Sequence, residues 1–193
     1  MITTVTGVVL AGGKSTRMGR NKALLPCGGK TLVEMVCEKL NLVFPRILLS
    51  VHQEEAYAGL HFSMVTDRYA EIGPIGGITS VLESGEDKIF CAACDMPFLN
   101  PDLIEFICQF SGFDAVLPVW RGKTEVLHAL YSRDLLPAFQ ESISRGRYRI
   151  TDALADARVK HVDAEQIWPI DPNGLSFRNL NTPGDYERFI VTP

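Results

Sequence analysis

The sequence has little that would let it hold nucleic acid, cross a membrane or be exported. Its 193 residues carry a net charge of −4, so the whole molecule has no basic field for a nucleic acid. It shows neither an apolar run near the roughly 20 residues of a membrane span nor the features of a signal peptide. We therefore expect a cytoplasmic protein that contacts neither nucleic acid nor membrane, and that meets any anionic substrate with a local cluster of positive groups.

Cysteine is scarce, and its pattern argues against disulfides and zinc. The five cysteines are expected to be free thiols, because an odd number occurs without an export signal. Cys91 and Cys94 form a lone C-x-x-C, without the two further ligands that a zinc site needs. The motif lies inside an apolar run and does not open a helix, as a redox pair would. This favours a buried strand.

Repeats, low-complexity segments and linkers are also lacking, which predicts one domain over residues 1–193. Strand-like and helix-like segments alternate, as is typical of an α/β fold with a mostly parallel, doubly wound sheet. The predicted strands are Val5–Ala11, Arg46–Val51, His61–Thr66, Lys88–Cys94, Ala115–Val119, Val126–Tyr131 and Ser176–Leu180. The predicted helices are Thr31–Leu40, Ile75–Leu82, Pro101–Phe110, Asp134–Ser144 and Gly184–Ile190. Ligands bind beyond the carboxyl ends of parallel strands, so the loops that follow the first, third and fourth strands are candidate sites.

The loop after the first strand has the composition of a phosphate-binding loop. Paired glycines allow a ligand to approach the backbone closely, and successive N–H groups can face phosphate oxygens. A P-loop would need its first glycine at Val8, and the spacing G-x-G-x-x-G is absent. The loop contains four cations within nine residues, namely Lys14, Arg17, Arg20 and Lys22. This density favours phosphate binding over an ordinary polar turn.

The stretch LAGGKSTRMGRNK resembles the signature L-A-G-G-x-S-x-R-M-G-x-x-K of the MobA family, the molybdenum cofactor guanylyltransferases. Cytidylyltransferases of the same cofactor usually read L-A-A-G, so the double glycine favours the guanylyltransferase branch. The resemblance implies a Rossmann-like nucleotidyltransferase fold. It also implies that the residues lining the base and ribose are Leu10, Ala11 and Gly12, that Gly13, Ser15 and Arg17 surround the triphosphate, and that Lys22 reaches its phosphates.

A second loop is similar to the D…G-P-L-A-G segment of the family. Asp67 precedes Gly73, and Gly76 stands where the family more often has alanine. The Asp67 carboxylate can accept hydrogen bonds from an exocyclic amine or a ribose hydroxyl, although a structural turn is the alternative. The family usually has an asparagine just after its second strand, where this chain has Val51 and His52.

A third loop resembles the family motif C-D-x-P, whose aspartate binds Mg²⁺. Here the aspartate is Asp95, at the end of an apolar strand. Mg²⁺ prefers one or two carboxylates together with phosphate oxygens and water, which suits this position. The resemblance therefore implies Mg²⁺ as the cofactor, Asp95 as its ligand, and Asp95, Lys22 and Arg17 as the catalytic residues.

The C-terminal half holds weaker candidates for acceptor binding. Asn179 and Asn181 lie in a segment similar to the family's N-x-N-T-P-E-D, and would share one face of the predicted strand. Arg147 belongs to three arginines within Arg145–Arg149, which can clamp an anion or form a solvated loop. Lys123 or Arg121 is a further candidate for the acceptor's phosphate. His128 is a candidate base, although a lone histidine beside a strand is more often structural.

The resemblance implies a function in cofactor synthesis. The predicted reaction transfers GMP from GTP to the phosphate of molybdopterin, with or without bound molybdenum, and releases pyrophosphate. We expect a nucleotide-binding half at about 1–100 and an acceptor-binding half at about 101–193, a monomer or weak oligomer, and molybdoenzyme maturation proteins as further partners. Two alternatives stay open: the same chemistry with CTP or another phosphorylated acceptor, and a regulatory protein that binds nucleotide without turnover.

Overall fold

The computed structural model of the protein describes residues 1–12, 21–27, 29–69, 71–180 and 185. The strands are β1 (Thr6–Leu10), β2 (Pro26–Cys27), β3 (Lys30–Thr31), β4 (Ile47–Val51), β5 (Ser63–Thr66), β6 (Lys88–Ala93), β7 (Ala115–Trp120), β8 (Lys123–Thr124), β9 (His128–Ser132) and β10 (Val159–Val162). The helices are α1 (Leu32–Asn41), α2 (Pro74–Glu83), α3 (Pro101–Cys108), α4 (Leu136–Ser144), α5 (Ile150–Ala153) and α6 (Ala164–Ile167). Four 3₁₀ turns are Lys22–Leu24, Glu54–Tyr57, Arg133–Leu135 and Leu175–Phe177. Within these ranges, no helix has the length and apolar character to span a membrane.

The main sheet has the strand order β10-β7-β9-β6-β1-β4-β5, and β8 pairs with the end of β7. Strand β1 is parallel to β4 and β6, and the pairs β4–β5 and β7–β10 are parallel too. Strand β9 runs antiparallel between β6 and β7. The predicted α/β class with a mostly parallel sheet is confirmed.

Two apolar cores lie on opposite faces of this sheet. All five residues of β4 are buried, as are five of the six in β6, which explains their nearly unbroken apolar sequences. Side chains alternate between the faces: Val9 and Phe90 join the core under α1, α3 and α6, whereas Val8 and Cys91 join the core under α2, α4 and α5. Helices therefore cover both faces, as the doubly wound prediction requires.

The C-x-x-C pair belongs to a buried strand and the residue just beyond it. All five are free thiols, and Cys91 lies within β6. Cys94 follows the last residue of that strand, and burial raises the pKa of its thiol to about 12. A thiol that stays protonated at neutral pH is a poor nucleophile, which is consistent with the prediction of a structural pair.

Local capping explains where the main helices begin. Thr31 and Glu34 form a capping box at α1, in which each side chain accepts a hydrogen bond from the backbone of the other residue. Asn100 caps α3 by accepting from the N–H of Asp102, with Pro101 at the first helical position, as predicted. Helix α2 follows Gly73, whose φ of 87° favours glycine.

The order in which successive strands are added to the sheet reverses at β1. Strands β4 and β5 lie on one side of β1, and β6 lies on the other. The N–H of Ala11 donates to the carbonyl of Ser50 at 2.8 Å, and the N–H of Cys94 donates to the carbonyl of Leu10 at 3.2 Å. The carboxyl ends of three strands are thus joined at the reversal point, where doubly wound sheets bind their ligands.

The predicted strand Ser176–Leu180 is wrong. Residues Leu175–Phe177 form a 3₁₀ turn, and 178–180 have no regular structure. The Asp171 carboxylate accepts hydrogen bonds from the N–H groups of Leu175 at 3.0 Å and Ser176 at 2.9 Å. These bonds occupy donors that a strand would offer to a neighbour, so Asn179 does not lie on a strand.

The remaining predicted elements that the structure describes agree with it to within two residues at each end. The predicted helix Gly184–Ile190 lies outside the described residues, apart from Asp185, which is helical. The sequence does not predict β10, because this short strand contains Lys160 and His161 and lacks an apolar run. It also does not predict α5 and α6, which are four residues long.

Candidate active site

Lys22 and Asp95 form an ion pair at the carboxyl edge of the sheet. The distance from Lys22 Nζ to Asp95 Oδ2 is 2.8 Å, and the two side chains are 16% and 17% exposed. Asp95 comes shortly after β6, and Lys22 begins the 3₁₀ turn Lys22–Leu24. Because the pair is mostly buried, its attraction is screened less than that of a surface pair. The structure thus brings together two of the three side chains that the sequence predicts to be catalytic; the third, Arg17, lies outside the described residues.

A chain of hydrogen bonds fixes the backbone beside Lys22. The Asn21 Oδ1 accepts from the N–H of Ala23 at 3.2 Å, and its Nδ2 donates to the Tyr57 hydroxyl at 3.0 Å. That hydroxyl donates in turn to the carbonyl of Ala11 at 2.7 Å. Sequence reasoning missed Asn21 and Tyr57, although an asparagine directly before a predicted catalytic lysine is a capping signal. Both are positioning residues that tie Lys22 to the end of β1.

Asp95 suits a magnesium ion. Its Oδ2 bonds to Lys22, whereas its Oδ1 is buried and has no hydrogen-bond partner among the residues that the structure describes. The same residues contain no group of three or more histidine, cysteine or acidic side chains that could enclose a metal. One or two carboxylates together with phosphate oxygens and water are the ligands that Mg²⁺ prefers, so the Asp95 carboxylate could contribute to holding such an ion.

Asp67 lies one residue beyond β5 and is almost fully enclosed. Its Oδ1 accepts hydrogen bonds from the N–H of Tyr69 at 2.8 Å and from the Ser80 hydroxyl at 3.3 Å. Its Oδ2 lies 3.7 Å from His52 Nδ1, and its side chain is 5% exposed. Burial raises the pKa of the Asp67 carboxyl. The Oδ1 bonds support the structural-turn alternative, while Oδ2 takes no part in that turn.

His52 directly follows β4, at the same edge of the sheet. Its ring atoms lie 3.5 Å from where a Cβ on Gly12 would stand, so the imidazole packs directly against the end of β1. A Cβ on Gly76 would lie 2.7 Å from the Tyr69 carbonyl oxygen and 3.0 Å from Asp67 Oδ1. Glycine at position 76 therefore allows α2 to approach the Asp67 turn.

The structure places the other predicted nucleotide contacts as follows. Leu10 is the last residue of β1, Ala11 and Gly12 follow it, and Gly73 precedes α2. Gly13, Ser15 and Arg17 lie outside the described residues.

The predicted acceptor contacts divide between the two ends of the sheet. Asn179 lies next to Leu180, whose N–H donates to the Asp95 carbonyl at 2.9 Å, and Asn179 Oδ1 is buried without a partner in the described ranges. Arg147 is not brought to this edge: it is exposed and lines a cleft of about 280 Å³ with Asp114 and Asp134, at the opposite end of the strands. Asn181 lies outside the described residues.

His128 is enclosed by aromatic rings. Its imidazole meets Phe90 and Phe177 edge to face, with both centroid distances at 5.1 Å. Neither ring nitrogen has a hydrogen-bond partner in the described part of the chain, and burial lowers the pKa of His128 to about 3. A group with this pKa binds a proton poorly at neutral pH, which favours the structural reading of His128 over the catalytic one.

The fold and the paired residues at its switch point define a nucleotide-binding transferase of the α/β class, and comparison with known proteins agrees. A family model described as the MobA-like NTP transferase domain matches residues 7–161. The chain belongs to this family, and the resemblance found in the sequence is confirmed.

Relatives and a solved structure extend the match over nearly the whole chain. A probable molybdenum cofactor guanylyltransferase of Carboxydothermus hydrogenoformans is 32% identical over 192 residues, covering 96% of this chain and 95% of the relative. The molybdenum cofactor guanylyltransferase of Syntrophotalea carbinolica is 32% identical, with 95% and 90% covered. The crystal structure of molybdopterin-guanine dinucleotide biosynthesis protein A from Archaeoglobus fulgidus superposes with a TM-score of 0.84 at 27% identity, over 96% of this chain and 97% of that one.

Proposed function

We propose that this protein transfers GMP from GTP to the phosphate of molybdopterin, releasing pyrophosphate and forming the guanine dinucleotide cofactor. The single observation that carries the proposal is the Lys22–Asp95 pair at the switch point of a MobA-like sheet. The relatives named as molybdenum cofactor guanylyltransferases support GTP and molybdopterin as the two substrates.

The proposed chemistry needs alignment and charge neutralisation, and no covalent enzyme intermediate. An oxygen of the acceptor's phosphate attacks the α-phosphorus of GTP, the bond to the β-phosphate oxygen breaks, and pyrophosphate leaves with the negative charge. Lys22, with Arg17 from the preceding loop, is assigned to stabilise that charge. A Mg²⁺ ion, when bound, would neutralise the phosphate oxygens.

Asp95 is assigned to hold the metal. In the free protein, its charge is balanced by Lys22 at 2.8 Å. A negatively charged triphosphate can draw the ammonium to itself and leave the carboxylate to the metal. The buried and unpartnered Oδ1 of Asp95 supports this assignment.

The remaining assignments divide between the two halves of the chain. We assign the base and ribose to Leu10, Ala11, Gly12, Asp67 and Gly73 in residues 1–100, and the triphosphate to Gly13 and Ser15. The acceptor is assigned to residues 101–193, with Asn179 and Asn181 as contacts. Free thiols are consistent with work in the reducing cytoplasm. We also propose that the protein is a monomer or weak oligomer, and that molybdoenzyme maturation proteins are its further partners.

Pyrophosphate release with each nucleoside triphosphate tests this function. Purified protein is incubated with Mg²⁺, molybdopterin and GTP, CTP, ATP or UTP in turn. The proposal predicts release that needs molybdopterin and is fastest with GTP. Release that is fastest with CTP would assign the protein to the cytidylyltransferases, and binding of GTP without any release would support a regulatory protein.

A further inference from the structure

A buried carboxylate with an exposed counter-ion lies between β8 and the first residue of β9. The Glu125 side chain is 7% exposed, whereas the side chain of its partner, Lys123, is 69% exposed. Lys123 Nζ lies 3.0 Å from both Glu125 Oε1 and Oε2, and it is the only group that bonds to this carboxylate within the described part of the chain. Buried charges normally have fixed partners, so an incoming group that displaces this exposed lysine must itself bond to the carboxylate.

Glu125 lies at the same edge of the sheet as Asp95. Strands β6 and β9 are antiparallel, and their ladder ends with the N–H of Ala93 donating to the carbonyl of Leu127 at 3.2 Å. Asp95 is two residues beyond Ala93, and Glu125 is two residues before Leu127. Because the two chains leave the ladder at the same end, both carboxylates lie just beyond it.

An aromatic side chain accompanies Glu125. The N–H of Glu125 donates to the carbonyl of Pro118 at 2.9 Å, which holds it against β7. Trp120 pairs with Lys123 in the β7–β8 hairpin, and its half-buried ring lies 5.9 Å from the Phe177 ring. Lys123 thus pairs with Trp120 in register and bonds to Glu125, and a carboxylate on the same hairpin as an indole suits a flat heterocycle that has hydrogen-bond donors on one edge.

We propose that Glu125 binds the pterin ring of the acceptor, an inference that rests on the proposed function. The ring N–H and the exocyclic amino group of a pterin are adjacent donors that point in one direction. They match the two oxygens of a carboxylate, as bidentate pairs do. The Lys123 ammonium dissociates from Glu125 when the pterin binds. The hydrogen bonds from the pterin to the carboxylate make Glu125 a determinant of acceptor specificity.

A pair of stable probes isolates this contact. One probe is a pterin with a phosphomethyl group at carbon 6, and the other is the matching lumazine, in which an oxygen replaces the amino group. The wild-type protein is expected to bind the pterin at least about tenfold more tightly than the lumazine, because the lumazine turns an acceptor toward the carboxylate. Dissociation constants are measured by titration calorimetry.

Two variants test whether Glu125 causes this preference. Glu125→Gln keeps the shape of the side chain and should bring the ratio of the two dissociation constants close to one. Lys123→Met is the matched control: it removes the same ion pair but leaves the carboxylate, so the preference for the pterin should remain. If Glu125→Gln fails to unfold cooperatively, Glu125→Asp replaces it, with a smaller preference of the same sign expected.

Three results would overturn the inference. One is a wild-type protein that does not distinguish the two probes. Another is an unchanged ratio in Glu125→Gln, or an equal loss of preference in Lys123→Met, which would give Glu125 a purely structural ion pair. The third is loss of Mn²⁺ binding in Glu125→Gln with GTP present, which would assign the carboxylate to the metal. Pyrophosphate release by the wild-type protein reports on the proposed function separately.

Discussion

At the scale of single residues, we propose that the charge on Asp95 controls how the protein binds the metal and the triphosphate. Asp95 has one oxygen bonded to Lys22 and the other buried without a partner in the described residues. In a partly buried setting, removal of one charge leaves the other uncompensated. Charge at position 95 should therefore matter more than shape.

Asp95→Asn should slow GMP transfer about a hundredfold, because the isosteric amide keeps the volume but loses the charge that we propose holds the metal. Single-turnover kinetics with GTP and molybdopterin measures the effect. Asp102→Asn, at an exposed position in the first turn of α3, is the control and should leave the rate unchanged. A near-normal rate in Asp95→Asn would remove Asp95 from the mechanism.

His128 should control the acid stability of the fold. Its pKa is about 3 when folded and 6.5 when exposed, so the unfolded chain binds more protons between these values. The free energy of unfolding should thus fall as the pH drops from 6.5 toward 3, by up to about 5 kcal/mol from this group.

Denaturant unfolding of His128→Phe at several pH values measures this contribution. The variant should show a smaller pH dependence than the wild type in that window, because position 128 then has no proton to gain. His61→Asn, at an exposed position, should keep the wild-type dependence. Equal slopes for His128→Phe and the wild type would show that His128 is not the group responsible.

At the scale of elements, the approach of α2 to the Asp67 turn sets the geometry of the predicted base-binding loop. Gly76→Ala should destabilise the protein by about 1–3 kcal/mol, because the added Cβ would lie 2.7 Å from a backbone carbonyl. It should also weaken GTP binding by displacing Asp67.

Thermal unfolding and nucleotide titration measure both effects of Gly76→Ala. Gly59→Ala is the control, since a Cβ there meets nothing within 4 Å. Unchanged stability and GTP affinity in Gly76→Ala would mean that α2 can shift without cost, and would contradict a tight approach of α2 to the Tyr69 carbonyl.

The elements also show what the sequence can and cannot predict. Apolar runs such as Lys88–Ala93 identify the central strands, and the pair Asn100-Pro101 identifies the start of α3, because each signal is local. The turn at Leu175–Phe177 depends on the Asp171 side chain bonding to the backbone of residues 175 and 176, and the alternating sequence there also suits a strand. The hydrogen bond from the Tyr57 hydroxyl to the Ala11 carbonyl joins residues that are far apart in the chain. No local sequence signal predicts such a contact.

On the scale of the whole molecule, an acidic protein is proposed to bind a highly charged nucleotide. The net charge of −4 gives no general attraction for an anion, so binding has to depend on the loops at one edge of the sheet. Strand order brings these loops together at β1, and the antiparallel β9 places Glu125 at the same edge. The proposed nucleotide and acceptor sites therefore lie at the same carboxyl edge of the sheet.

We propose that this edge of the sheet transfers GMP, with the α-phosphorus of GTP, to the phosphate of a phosphorylated pterin. GTP labelled with ³²P at the α-position tests it most directly, in a reaction with molybdopterin and Mg²⁺ whose products are separated by chromatography. The proposed reaction puts the label into the dinucleotide and leaves the pyrophosphate unlabelled. Label that stays with GTP or appears as free GMP, with no labelled dinucleotide, would contradict it.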